Sequence, residues 1–154
     1  MVRITKLTDY GVMIMAFMAS SPTQVFQARE IAEQTSLAQP TVSKLLKKLV
    51  KHQLLTSQRG SHGGYQLACH PSQTTIADLI QILEGPIAIT ECSLGHDHCS
   101  SAPLCSVKSP WQRVNDVITQ ALQSVKLADL IYHTAPILTP KTVTTAIRVI
   151  HDNH

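Results

Sequence analysis

Three cysteines, Cys92, Cys99 and Cys105, lie between Ile87 and Ser109, a stretch with no sustained hydrophobic period, set among Gly, Ser, Pro and His. They are separated by six and five residues, wider than the two to four usual within a zinc-finger ligand pair. Thiolates on such a loop can converge on a polynuclear centre, and soft sulfur donors suit iron-sulfur clusters, zinc or copper(I). Spacing alone leaves a thiol switch or chance cysteines open. His96 and His98 fall between two of the cysteines and are secondary candidates, since exposed loop histidines are commoner than ligands. Cys69, between Ala68 and His70, stands apart and is expected to be a lone buried thiol.

A second chemistry lies upstream. From Gln34 to Ala77 there is no Asp or Glu, while Lys44, Lys47, Lys48, Lys51 and Arg59 all fall inside the stretch. Acidic residues elsewhere do not cancel the local field, although the net charge of the whole chain is only +3. Val42, Leu45, Leu46 and Leu49 recur at helical spacing, and the four lysines repeat that pattern two residues on, about 200° around the helix. A buried stripe therefore faces a basic one. A solvated face is the plain alternative, but the same helix begins with Gln39, Thr41 and Ser43, short polar groups suited to base edges in a major groove. Arg59, at the tip of a glycine-rich turn, suits a narrow minor groove.

These residues need elements to hold them. The spacing of Leu7, Tyr10, Ile14, Phe17 and Met18 predicts a first helix from about Thr8 to Ser20 with a core-facing stripe. A second helix is expected at about Ala28 to Gln34. The turn Thr35-Ser36-Leu37-Ala38 then leads to a third, with Pro40 at its first position, ending near His52. Two short helices joined by such a turn make a helix-turn-helix. Leu54–Ser57 and Tyr65–Ala68 are predicted strands of a hairpin around the glycine-rich turn Gln58-Arg59-Gly60-Ser61-His62-Gly63-Gly64. A helix from Thr74 or Thr75 to Leu83 follows, stopped by Gly85-Pro86. Ser109 is the expected cap of a long helix running to about Val125, and Leu127 to Tyr132 a short one. Along the long helix, Trp111, Val114, Ile118, Ala121 and Val125 alternate steps of three and four, the seam of helices that pack on one another. That seam serves either a dimer or the same subunit. One reading module makes few contacts, which favours a dimer on a two-part operator.

The bulk composition agrees. Over 154 residues, 44% are hydrophobic but only 4% aromatic, enough for a mainly helical core of aliphatic side chains with a small hairpin. The opening residues lack a signal-peptide pattern and the apolar patch from Tyr10 to Ala19 is too short for a bilayer, so a cytoplasmic protein without membrane attachment is expected. No base and orienting group accompany the cysteines as covalent catalysis requires, so an enzyme is not expected.

Three pieces together resemble the iron-sulfur winged-helix transcription regulators that include IscR, NsrR and the Suf-operon regulators. They are the opening Ile4-Thr5-Lys6-Leu7-Thr8-Asp9-Tyr10, the wing Arg59-Gly60-Ser61-His62-Gly63-Gly64-Tyr65, and the three-cysteine loop followed by Trp111. The opening is most similar to the Suf branch. The resemblance implies a winged helix-turn-helix over residues 1–85, a cluster-binding loop over 86–109, dimerisation helices over 110–132 and a tail over 133–154. It also implies a homodimer on double-stranded DNA and a 2Fe-2S or 4Fe-4S cluster on Cys92, Cys99 and Cys105 that tunes promoter binding, with cluster-assembly genes as targets. IscR-like members place a histidine three residues after the last cysteine, where this chain has Lys108. NsrR-like members complete the site with an aspartate from the other subunit's first helix, and Asp9 occupies that position. For Asp9 the alternative is a helix cap; for the whole chain it is a DNA-binding thiol or zinc sensor without iron.

Overall fold

The computed structural model describes residues 4–60, 63–90 and 108–131. Cys92, Cys99, Cys105, His96, His98, Ser61, His62, Tyr132 and the tail over 133–154 lie outside the described residues. Six helices and a hairpin occur among the described residues: α1 (Lys6–Ala19), α2 (Ala28–Thr35), α3 (Gln39–Lys51), β1 (Leu55–Gln58), β2 (Gly64–Leu67), α4 (Ile76–Leu83), α5 (Lys108–Ser124) and α6 (Leu127–Ile131).

Local chemistry sets the boundaries. The Thr5 hydroxyl accepts the Thr8 amide at 3.3 Å, so α1 starts two residues earlier than the hydrophobic stripe suggests. At α4, the Thr75 hydroxyl accepts the Asp78 amide at 3.0 Å while the Asp78 carboxylate accepts the Thr75 amide at 2.8 Å. This reciprocal box satisfies two amides that would otherwise lack partners. Ser36, at φ 56°, ends α2 in the left-handed conformation and turns the chain into α3. The long helix α5 begins at Lys108, so Ser109 lies inside it rather than capping it. Pro110 permits this because first-turn amides have no intrahelical acceptor to lose. Both strands sit one residue from their expected bounds, with Leu55 opposite Leu67 and Gln58 opposite Gly64.

One core joins these elements. Ile14, Met15 and Met18 of α1, Ile31 of α2, Val42, Leu45, Leu46 and Leu49 of α3, and Leu79 of α4 are fully buried. So is Leu127 of α6, which the sequence pattern did not mark as core. The Leu127 amide donates to the Thr74 carbonyl at 2.8 Å and the Ala128 amide to Pro71 at 3.0 Å, returning the chain to the winged-helix body after α5.

α5 itself is different. Along its apolar seam Trp111 and Val114 remain 41% and 37% exposed and Ala121 is exposed, while Ile118 and Val125 are half-buried, so the elements around it cover the seam only in part. No helix among the described residues is long and apolar enough to cross a membrane.

Candidate nucleic-acid interface and the approach to the cysteine loop

α3 is oriented by its buried stripe. With Val42, Leu45, Leu46 and Leu49 all fully buried, the opposite side must face out, and Lys44, Lys47 and Lys51 are exposed there. Gln39 is exposed at the N-terminal end, with Thr41 and Ser43 half-buried beside it. α2 and the Ser36 turn hold this end against the body, since the Leu37 amide donates to the Ala32 carbonyl at 3.1 Å.

Lys48 behaves differently from the other three lysines. Its Nζ donates to the Leu83 carbonyl at 2.7 Å, tying α3 to the C-terminal end of α4. Helical geometry accounts for this. At 3.6 residues per turn Lys48 lies roughly 110° from the centre of the buried stripe, against roughly 150° to 170° for Lys44, Lys47 and Lys51. It sits on the flank and snorkels along the body.

The hairpin is braced from behind. Phe26 and Tyr65 exchange both backbone bonds, at 2.9 and 2.8 Å, and the Gln66 side-chain amide donates to the Thr23 carbonyl at 2.9 Å. Phe17 packs on Phe26 beneath this bridge with ring centroids 4.9 Å apart. A Cβ on Gly64 would stand 2.5 Å from the Phe26 carbonyl oxygen, and one on Gly63 would meet the Gln58 carbonyl oxygen. These two glycines of the wing motif are thus required by packing within the molecule. Gly60, with φ 112° and open space around it, serves the turn that presents exposed Arg59.

The chain that leads into the cysteine loop is anchored at two points. The Asn115 side chain on α5 accepts the Ile89 amide at 3.1 Å and donates to the Ile87 carbonyl at 3.2 Å. A primary amide does both at once, and this clip fixes the chain just before Cys92 onto α5. Upstream, the Glu84 carboxylate accepts the Thr5 amide at 2.8 Å. The Thr8 hydroxyl first, then Thr5 and the Lys48 charge, hold its carboxyl below the usual range against slight burial. Asn115 and Glu84 were not singled out in the sequence. Neither carries a local signature, since their backbone partners lie 26 and 28 residues away for Asn115 and 79 for Glu84.

Asp9 is exposed in the first turn of α1, and Thr5 provides the cap there. Its carboxylate is therefore not consumed by capping. Cys69 follows β2 half-buried rather than buried. Burial pushes its thiol above the ordinary range, outweighing the hydrogen bond with Thr74, which disfavours the reactive thiolate.

With this geometry in place, the likenesses to known proteins are specific. A family model described as Rrf2, iron-dependent transcriptional regulator, matches residues 4–133. The chain belongs to the Rrf2 family. It is 31% identical over 130 residues to the HTH-type transcriptional regulator NsrR of Oceanobacillus iheyensis, covering 83% of this chain and 88% of that one. Among solved structures it is similar to CymR, the global cysteine regulator of B. subtilis, with TM-score 0.70 and 29% identity over 88% of this chain and all of that one. It is also similar to T. potens IscR, with TM-score 0.66 and 31% identity over 87% and 89% of the two chains. The Rrf2 chain is accordingly a winged-helix transcriptional regulator, and the mainly helical fold with one antiparallel hairpin agrees with the sequence expectation.

Proposed function

We propose that this Rrf2 regulator binds operator DNA as a homodimer in the cytoplasm, and that Cys92, Cys99 and Cys105 hold an iron-sulfur cluster that sets operator affinity. The observation that carries the DNA reading is the division of α3 between a fully buried stripe and the exposed cations Lys44, Lys47 and Lys51. In this reading Gln39, Thr41 and Ser43 approach base edges, the three lysines and Arg59 neutralise phosphates or the minor groove, and the exposed seam of α5 joins the two subunits. Residues 1–85 then form the reader, 86–109 the sensing loop and 110–132 the dimer element.

The donor set suits the cluster. Three thiolates are the donors iron-sulfur centres favour, and the exposed Asp9, not engaged as a cap, stands where NsrR-like members complete the site with an aspartate from the other subunit. When bound, the cluster supplies a redox-sensitive cross-link among its ligands. The protein's own residues would convert that into a DNA response. Asn115 holds the leader of the loop on α5, and Glu84 holds the start of α1, where Asp9 sits. Two readers must fit half-sites about 34 Å apart at the same time, so a change in cluster state that shifts α1 or α5 alters affinity. Genes of cluster assembly are the proposed targets, on the resemblance of the opening segment to Suf regulators.

The test is the visible spectrum and iron content of protein purified without oxygen. The wild type is expected to be brown with stoichiometric iron, and Cys92→Ala, Cys99→Ala and Cys105→Ala to be colourless. Likeness to the cysteine regulator CymR favours a second reading, a DNA-binding regulator acting through thiols or zinc. Colourless wild-type protein that carries zinc, or that regains operator binding with a thiol reductant alone, would select it.

A further inference from the structure

Lys48 sits where three helices meet. The amide ladder of α4 closes with Glu84 on the Ile80 carbonyl at 2.8 Å and Gly85 on the Gln81 carbonyl at 3.0 Å. Leu83 presents its carbonyl beyond that ladder, and the Lys48 ammonium takes it. A cation at a helix C-terminus also meets the negative end of the helix dipole. The Leu83 side chain is itself locked: it is 4% exposed, and a Cβ on Gly11 of α1 would collide with its Cδ1. The next residue, Glu84, binds the Thr5 amide at the positive N-terminal end of α1. One dipeptide, Leu83-Glu84, therefore fixes the recognition helix on one side and the start of α1 on the other.

We infer that Lys48 is a positioning residue of the DNA reader and not a phosphate contact, and that the corner Lys48, Leu83-Glu84, Thr5 makes the seating of α3 depend on the first turn of α1. The inference rests on the proposal that α3 reads DNA. It goes beyond it in dividing four lysines of one helix between two jobs. Three carry salt-dependent attraction, and the fourth sets the angle at which they are presented. Because Asp9 lies in the turn that Thr5 caps, whatever engages Asp9 acts on the same corner.

Salt dependence separates the two jobs. Removing a phosphate contact lowers the slope of log K against log salt by about 0.9 per phosphate, or about 1.8 for a dimer. Removing a strut weakens binding without changing the number of ions released. Binding to a duplex promoter fragment would be measured by fluorescence anisotropy across a salt series for wild type, Lys47→Met, Lys48→Met, Lys48→Arg and Glu84→Ala. Lys47→Met is expected to flatten the slope by about 1.8. Lys48→Met is expected to keep the wild-type slope while losing tenfold or more in affinity at every salt. Lys48→Arg, which keeps a cationic donor, restores affinity to within about threefold. Glu84→Ala follows Lys48→Met, and the double variant loses no more than the larger single loss, the mark of one coupled unit. A Lys48→Met slope as flat as that of Lys47→Met overturns the inference, as does unchanged affinity. If Lys48→Met does not fold, Glu84→Ala decides by affinity: a tenfold loss at every salt is expected, and unchanged affinity overturns the inference. A wild type that ignores DNA at low salt defeats the DNA-binding reading itself, a separate outcome.

Discussion

α3 and α5 carry the same kind of pattern, apolar residues at steps of three and four with polar residues between, and the molecule treats them in opposite ways. In α3 the whole stripe is buried, down to 0% exposure for each of its four members. In the seam of α5, Trp111 and Val114 keep 41% and 37% of their surface in contact with solvent and no member is fully buried. Periodicity announces that a face will be covered, but not by whom. The answer comes from the neighbours: α1, α2 and the hairpin converge on α3, whereas among the described elements α5 packs chiefly on α4 and is tied down at Asn115 and at Val125, whose carbonyl accepts the Ile76 amide. A face left open on a helix joined at both ends to a well-packed body is what a second subunit would use.

The contrast can be broken at either helix. Val114→Asp places a charge on the open seam, and is expected to convert a dimer to a monomer in sedimentation while costing operator affinity about 100-fold or more. An unchanged dimer would mean that the seam is not the interface. Leu46→Ala in α3 should act on the fold and not on assembly, lowering unfolding free energy in urea by about 2–5 kcal/mol. A loss below about 1 kcal/mol would show that the stripe is less tightly packed than its burial implies.

The smallest effect concerns the corner between the helices. Glu84 has its carboxyl held low by Thr8, Thr5 and Lys48, so the folded state favours the charged form. Its contribution is present above the ordinary carboxylate range and is lost as pH falls through that range to the lowered folded value. Glu84 is exposed, so solvent screening keeps this within about 1 kcal/mol. Glu84→Gln should melt slightly below wild type at pH 7, with the gap closing towards pH 3. A gap that is constant with pH would assign the difference to packing.

Much of this was legible beforehand. The aliphatic stripe of α3, the hairpin and the helix-turn-helix follow from spacing, because burial of one face is enforced by the same short period that the sequence displays. Helix starts were misjudged where capping overruled the stripe: Thr5 begins α1 before its first buried residue, and Pro110 tolerates a helix that starts at Lys108. In the sequence Lys48 reads like the other three lysines, because all four repeat the spacing of the buried stripe. A finer angular reading places it on the flank, but its acceptor, Leu83, is 35 residues away and has no local signature. Asn115 and Glu84 escaped for the same reason, since each acts on backbone groups distant in the chain. The glycine-rich turn reads in the sequence as the mount of Arg59, and the packing need for Gly63 and Gly64, set by carbonyls of the hairpin and of Phe26, becomes visible only in three dimensions.

The most direct test of the account is the salt dependence of operator binding by the protein purified without oxygen, before and after treatment with an iron chelator. Three exposed lysines on each of two recognition helices predict a slope of log K against log salt of about −5, shared by both forms, with affinity differing between them. Failure to bind promoter duplex at low ionic strength, in either form, would contradict it.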